Sequence, residues 1–156
     1  MYDLTFLYLY GNQLSDIAPV SNLTNLTFLN IGSNQISDIS CLAGLVKLET
    51  LGLAGNYINN ISVLSSMTEL KVLEIGNNDI TDISPISNLT NLETINFDRN
   101  DNITDISYLE DIVNLKWVSF QTNTIDDMSV VSNLTNLTYL ALSGNNINDP
   151  NAVAKL

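Results

Sequence analysis

The sequence contains no histidine and only one cysteine among its 156 residues. Without histidine there is no imidazole to activate a serine or cysteine nucleophile, and the most common zinc sites are excluded. No second cysteine is present to form a disulfide with Cys41, which is predicted to pack on the return side of the fold. No glycine motif for binding phosphate is present either. We therefore expect no enzymatic activity, no metal site and no cofactor.

Basic residues and long apolar runs are also scarce. Five lysines and arginines stand against 17 aspartates and glutamates, which gives a net charge of -12. Such an acidic surface repels polyanions, so nucleic acid is not expected as a partner. No apolar run approaches the roughly 18 residues that a membrane span needs, so we expect no membrane insertion. The first residues lack the pattern of a signal peptide.

A repeat of about 22 residues organises what the sequence does contain. The six letters SNLTNL occur at 21–26, 87–92 and 132–137, separated by three and then two periods. This period predicts one array over residues 1–156, with seven units that start near residues 4, 26, 48, 70, 92, 115 and 137. An asparagine recurs at position 9 of every unit, and we call this set the asparagine ladder: Asn12, Asn34, Asn56, Asn78, Asn100, Asn123 and Asn145.

Apolar residues recur at positions 1, 4, 6, 11, 14, 17 and 20 of each unit, counted from its first leucine. With a one-residue shift in the fifth unit, 48 of these 49 positions are apolar, and the exception is Pro150. Such a regular pattern does not arise by chance. The alternation around positions 4 and 6 predicts a short strand with one buried face, and the later spacing of three predicts a 3₁₀ return. One unit cannot enclose its own apolar side, so the units must stack into a continuous core.

Three polar residue types recur where the chain is expected to turn. The amide of the asparagine ladder both donates and accepts, so we predict that it satisfies backbone groups rather than a ligand. A serine at position 15 is predicted to start the return by accepting a hydrogen bond from a free N–H group. An aspartate at position 13 is predicted to serve turn formation and solubility.

The pattern LxxLxLxxNxIxDIxxLxxL identifies leucine-rich repeats of the 22-residue class, and ITDISPISNLTNL (80–92) most closely resembles bacterial internalin-type surface proteins. The resemblance implies an α/β repeat solenoid: a right-handed array of seven coils with a concave parallel sheet and convex 3₁₀ or irregular turns. It also implies a partner protein bound to the concave face, and an extracellular or bacterial cell-surface location.

Two other functions stay open on the same pattern. The repeats are also similar to those of intracellular phosphatase regulatory subunits, which implies a scaffold or regulatory role. A third hypothesis is that the array is the recognition segment of a larger enzyme whose catalytic domain lies elsewhere. Because no polar cap resembling those of complete family members is visible, we expect a segment of a longer protein, or end-to-end association through uncapped terminal coils.

Candidate binding residues lie at the positions that should face outward from the sheet, namely 2, 3, 5, 7 and 8. Aromatic residues are concentrated at both ends of the array and exposed patches of this kind anchor protein interfaces. The alternative is that they stack on one another for sheet stability. Charges that alternate at position 2, including Lys71 and Lys116, are predicted to form a solvated ladder, and the alternative is that these two lysines contact a partner. The predicted binding residues are Phe6, Tyr8, Tyr10, Phe28, Glu74, Asp98, Arg99, Trp117 and Tyr139.

The fifth unit carries one extra residue between Asn100 and Ile103, within the segment DRNDNITD (98–105). Its oxygen-bearing side chains imitate the start of a calcium loop, but that loop needs glycine and glutamate where this chain has Ile103 and Leu109. We predict instead a bulge that alters local curvature or presents Arg99 and Asp101 to a partner.

Overall fold

Each repeat forms one coil that contains one short strand and one 3₁₀ helix. The computed structural model describes residues 3–156 apart from the side chain of Lys155, and Met1 and Tyr2 of the predicted array lie outside the described residues. The strands are β1 Phe6–Tyr8, β2 Phe28–Asn30, β3 Thr50–Gly52, β4 Val72–Glu74, β5 Thr94–Asn96, β6 Trp117–Ser119 and β7 Tyr139–Ala141. The 3₁₀ helices span Ala18–Asn22, Ser40–Gly44, Ser62–Ser66, Ser84–Ile86, Ser107–Leu109, Ser129–Asn133 and Asn151–Lys155.

The strands form one parallel sheet in the order β1 to β7. Each strand pairs with the same three positions of the next, so that Leu7 lies beside Leu29 and Leu29 beside Leu51. The nearly constant length of the repeats keeps this register. With the 3₁₀ helices on the opposite side of each coil, the predicted solenoid of seven coils is confirmed.

The extra residue of the fifth coil is absorbed after the strand and leaves the register of β5 and β6 intact. Asp101 takes a left-handed backbone conformation with φ 62°, and the N–H of Asn102 donates to the carbonyl of Asn100 at 2.8 Å. The chain therefore bulges outward there, and Thr94 still lies beside Trp117. A bulge is therefore present where the insertion predicts one, and its effect on curvature or on a partner stays a prediction.

The apolar positions of the repeat form a continuous core. In coils two to six they are fully or almost fully buried, for example Leu51, Leu73 and Ile95. Phe97 and Phe120 occupy the same position in successive coils, and their rings stack at 5.1 Å between centroids. The first and last coils are less covered, with Leu4 40% exposed, because each has a neighbouring coil on one side only.

The asparagine ladder joins each coil to the one before it. The amide of Asn78 donates to the carbonyl of Ile75 in its own coil at 3.0 Å and to that of Leu53 in the preceding coil at 3.1 Å. Its oxygen accepts from the N–H of Ile58 at 2.9 Å. Asn34, Asn56, Asn100 and Asn123 are buried in the same way. One side chain thus satisfies backbone groups of two coils where they turn away from the sheet.

Aspartate, or asparagine in the third coil, and not serine, accepts the hydrogen bond at the start of each 3₁₀ helix, so the predicted acceptor role of serine is wrong. Ser40 begins its helix, but its N–H is itself the free donor, and it donates to Oδ1 of Asp38 at 2.8 Å. No 3₁₀ helix in residues 3–156 has a side-chain bond at its N-cap. The acceptor must come from upstream, and the side chain at position 13 provides it. The same bond joins Asp16 to Ala18, Asn60 to Ser62, Asp82 to Ser84, Asp105 to Ser107, Asp127 to Ser129 and Asp149 to Asn151.

These turns should make stability sensitive to acid. Hydrogen bonds from the backbone of Ser40 and Ser129 lower the pKa of Asp38 and Asp127, respectively. Their contribution is complete above the ordinary aspartate pKa of about 3.9 and is lost as the pH falls through the lower folded value. We expect the free energy of unfolding, measured with urea at a series of acidic pH values, to decrease through that window.

A double variant, Asp38→Asn with Asp127→Asn, is the matched control for this prediction. An amide keeps the acceptor but does not titrate, and Asn60 already makes the same bond in the third coil. The variant should lose less stability on acidification than the wild type. Identical pH profiles would show that these two turns do not contribute.

Candidate binding surface

The outward side of the sheet is the candidate site, and we call it the concave face. In each strand the middle residue points into the core, while the residues before and after it point outward, as in the exposed, half-buried, exposed pattern of β1. Because the strands are in register, side chains at the same position of successive coils lie side by side, about 4.8 Å apart. The predicted binding residues therefore share one surface or its rim.

One end of the concave face carries an amino-terminal aromatic cluster formed by Phe6, Tyr8, Tyr10 and Phe28. The rings of Phe6 and Phe28 stack at 4.2 Å with an interplanar angle of 11°, and Tyr8 lies 6.4 Å from Phe28. Phe6, Tyr8 and Tyr10 are each more than half exposed, at 55%, 56% and 51%. The cluster is thus ordered by its own contacts and still offers its outer ring faces to solvent.

The other end carries a carboxy-terminal aromatic pair, Trp117 and Tyr139. Their rings are almost parallel, at 4° and 4.7 Å between centroids. Trp117 is half-buried, while Tyr139 is 44% exposed. The stacking between neighbouring strands is thus observed, while a role of this pair in binding stays a prediction.

Most side chains in the middle of the concave face are small, so the surface there lies below that of the two aromatic ends. The side chain of Asn30 folds over Gly52, so that a Cβ on this glycine would lie 2.6 Å from Nδ2 of Asn30. Asn30 is held there by the N–H of Gly32, which donates to its Oδ1 at 3.0 Å. Glu74, in contrast, is exposed beside this low region. The result is a shallow depression with a carboxylate, between two aromatic ends.

Asp98 is held by the neighbouring sixth coil. Its Oδ1 accepts from the hydroxyl of Ser119 at 2.6 Å and from the N–H of Gln121 at 2.7 Å. This half-buried network was not predicted from the sequence, although polar residues at positions 5 and 7 of successive coils are a signal for it. Arg99 follows directly but lies beyond the strand, exposed on the rim of the sheet, with φ 54°.

Charged residues at position 2 pair across neighbouring coils, as the alternating pattern predicts. Lys71 lies 2.7 Å from Glu49, and Lys116 lies 2.7 Å from Glu93, with all four side chains about half exposed. The hydrogen bond to Glu49 raises the pKa of Lys71, and the hydrogen bond from Lys116 lowers the pKa of Glu93. These pairs lie along one edge of the concave face and neutralise each other there.

The remaining features of the described chain concern cysteine, metal and membrane. Cys41 is half-buried, and its thiol lies 3.5 Å from the carbonyl of Ile17. Burial raises the pKa of the thiol, so the thiol stays protonated at neutral pH.

Residues 3–156 contain no group of three or more acidic or cysteine side chains arranged around a metal position. Within the same residues, no helix has the length and apolarity that a membrane crossing requires.

Family models and solved structures agree on the family. A model of leucine-rich repeats in two copies matches residues 3–44, 24–66 and 68–111, and a single-repeat model matches 133–154. No curated protein gives a significant match. An internalin (inlF) from Listeria monocytogenes is 36% identical, with a TM-score of 0.97 over 99% of this chain and 46% of that one. This chain thus spans less than half the length of that internalin.

Two further structures extend the comparison. Internalin C2 from Listeria monocytogenes is 35% identical, with a TM-score of 0.72 over 91% of this chain and 72% of that one. The ectodomain of the plant receptor kinase GASSHO1 from Arabidopsis thaliana is 27% identical, with a TM-score of 0.85 over 97% of this chain and 20% of that one. This chain belongs to the leucine-rich repeat family and is internalin-like.

Proposed function

We propose that this chain is a non-enzymatic module of a bacterial surface or secreted protein that recognises a partner protein through its concave face. Leucine-rich repeat proteins are generally protein-binding modules. The observation that carries the proposal is the pair of ordered but accessible aromatic groups at the two ends of the face. The residues proposed to contact the partner are Phe6, Tyr8, Tyr10, Phe28, Glu74, Asp98, Arg99, Trp117 and Tyr139.

The distribution of variation along the chain supports this proposal. The core, the asparagine ladder and the capping turns repeat in coil after coil, because every coil must stack on its neighbours in the same way. The outward positions of the sheet do not repeat: the same position holds Phe28 in β2, Val72 in β4 and Trp117 in β6. Side chains that vary on the surface of a constant scaffold can determine which partner the protein binds.

The energetics of aromatic side chains favour these two groups as anchors. Tyrosine and tryptophan are enriched among residues that dominate binding energy, since they bury a large area with few rotatable bonds. Stacking already orders the rings of Trp117 and Tyr139, so less conformational entropy is lost when a partner covers them. Four strand spacings separate Phe28 from Trp117, which places the two anchors roughly 19 Å apart.

Charge indicates the chemistry of the partner. The chain carries a net charge of -12, and the exposed Glu74 lies in the depression between the aromatic groups. A partner with a basic side chain placed to reach Glu74 would complement this surface and associate faster at low salt.

The comparisons support the class of partner and the location. The structure of the GASSHO1 ectodomain was solved in complex with CASPARIAN STRIP INTEGRITY FACTOR 2. A protein with a similar fold therefore binds a separate ligand. Likeness to the Listeria internalins supports a surface or secreted location for this chain. End-to-end association of coils, and membership of a longer protein, stay predictions.

Replacement of the aromatic pair tests the proposal. Binders selected on the wild-type chain from a library of displayed proteins, and any natural partner captured by cross-linking, should lose affinity for Trp117→Ala and Tyr139→Ala. We expect each change to weaken binding by about tenfold or more, equivalent to about 1.4 kcal/mol. Tyr108→Ala is the matched control, because Tyr108 is exposed on the 3₁₀ side. A natural partner bound equally well by all variants, with folding confirmed by circular dichroism, would refute the concave face as its site.

A further inference from the structure

A left-handed backbone turn follows every strand, and its residue identity changes along the array. The residue at position 8 has a positive φ in every described coil. Glycine adopts this conformation without steric cost, whereas other residues do so at a cost, and a β-branched residue there is an outlier. The seven residues are Gly11, Ser33, Gly55, Asn77, Arg99, Thr122 and Gly144.

Three of the residues with side chains at this position come from consecutive coils and line one cleft. Asn77, Arg99 and Thr122 have φ values of 55°, 54° and 56°. Each is held by a backbone bond to the next coil, for example from the N–H of Arg99 to the carbonyl of Gln121 at 2.8 Å. The coils on either side of these three have Gly55 and Gly144 instead.

The cleft, which we call the rim cleft, has a volume of about 510 Å³. It lies along the edge where the chain leaves the strands, and the buried amides of the asparagine ladder form part of its base. The bulge of the fifth coil brings Asp101 into its wall, and Tyr57 lies at the side of the third coil with 60% of its surface exposed. Its lining residues are Asn56, Tyr57, Asn77, Asn78, Asp79, Arg99, Asp101 and Thr122.

The side chains at these strained positions have no evident structural role. Within residues 3–156, the side chains of Asn77, Arg99 and Thr122 make no hydrogen bond or ion pair with the rest of the chain. Glycine performs the same turn in three other coils. Strain that is retained without a compensating contact within the chain is typical of sites where the contact is made with a ligand.

We propose that the rim cleft binds a neutral saccharide. The carboxylates of Asp79 and Asp101 repel a bound anion, and the guanidinium of Arg99 repels a bound cation. A neutral sugar ring can bind to groups of both charges. Its hydroxyls donate hydrogen bonds to the carboxylates and accept them from the guanidinium of Arg99, the amide of Asn77 and the hydroxyl of Thr122. The exposed ring of Tyr57 offers an apolar face for the C–H side of a sugar, with its polar tip in water. This site adjoins the rim of the concave face, with which it shares Arg99, and it goes beyond the function proposed above.

An array of immobilised neutral and charged oligosaccharides tests this proposal, with titration calorimetry on the sugars that bind. We expect the wild-type chain to bind neutral sugars, and we expect Tyr57→Ala and Arg99→Gly each to weaken that binding about tenfold. The matched controls are Ser33→Gly, at the same backbone position outside the cleft, and Tyr108→Ala, an exposed tyrosine on the other side. Both should bind like the wild type.

Thermal unfolding separates loss of the site from loss of the fold. Arg99→Gly and Thr122→Gly remove left-handed strain, so their melting temperatures should equal or exceed that of the wild type while sugar binding falls. The proposal is overturned if no neutral sugar binds at millimolar concentration, if only charged sugars bind, or if Tyr57→Ala and Arg99→Gly bind as well as the controls. Trp117 is not among the residues that line the cleft, so Trp117→Ala should leave sugar binding unchanged, and this variant distinguishes failure of one proposal from failure of the other.

Discussion

Replacing Phe97 by alanine should lower the free energy of unfolding by about 3 to 5 kcal/mol, the largest effect that we expect from one substitution. Phe97 is fully buried, and its ring stacks on that of Phe120 at 5.1 Å in the next coil. Its removal would leave a cavity in the fifth coil, which also contains the extra residue. Since each coil contacts only its neighbours, the defect weakens the interface between the fifth and sixth coils, through which the last two coils are joined to the rest of the array. Urea unfolding followed by circular dichroism measures the loss.

Phe97→Leu is the matched control for this experiment. Leucine occupies the same position in other coils, as Leu53 does in the third, so the backbone accepts it there. We expect this variant to lose clearly less stability than Phe97→Ala, because it leaves a smaller cavity. If alanine and leucine cost the same, the packing of Phe97 against Phe120 is not what stabilises this interface.

The second large effect should come from Asn78→Ala in the middle of the asparagine ladder. This change leaves the buried N–H of Ile58 without its acceptor. The carbonyls of Leu53 and Ile75 lose one donor each and keep a second, from Asn56 at 2.9 Å and from Asn100 at 3.4 Å. A buried polar group that loses its partner costs about 1 to 3 kcal/mol, so we expect a loss within this range. Chemical unfolding measures it, and the dependence on urea concentration shows whether the array still unfolds as one unit.

Asn12→Ala separates the ladder from a general effect of losing an asparagine. Asn12 is exposed, and its amide donates only within its own coil, to the carbonyls of Leu9 and Tyr10. Water replaces these bonds readily, so we expect a loss below about 1 kcal/mol. Equal losses at the two positions would mean that the bonds between coils do not carry the stability of the ladder.

The hydrogen-bond partners at the turns could not be predicted from the sequence alone. The recurrence of serine at position 15 correctly marks the start of each 3₁₀ helix, but which side chain caps that start depends on which N–H is free and which acceptor lies upstream. Asp38 and Ser40 are both plausible caps in the sequence, and only their relative placement selects the aspartate. The partners of Asp98 were not predicted for the same reason, since Ser119 and Gln121 lie one coil further along the chain.

The sequence by itself determined the number of coils, the side of each strand that is buried, the place of the asparagine ladder and the presence of a bulge after Asn100. These are properties of a local period, and a repeat array is built from contacts between equivalent positions of adjacent coils, so a period read along the chain translates directly into the fold. The pairing of charges at position 2 follows from the same periodicity.

Only the tertiary structure decided how the surfaces are arranged. It showed that Trp117 stacks on Tyr139, that the side chain of Asn30 covers Gly52, and that Arg99 belongs to the rim of the sheet. It also brought Tyr57 and Asp101, from different coils, to one cleft. These contacts depend on side-chain rotamers and on backbone turns. Both are determined by neighbouring residues more than twenty positions away in the sequence. A repeat pattern predicts that these neighbours lie side by side, but it does not predict how their side chains are oriented.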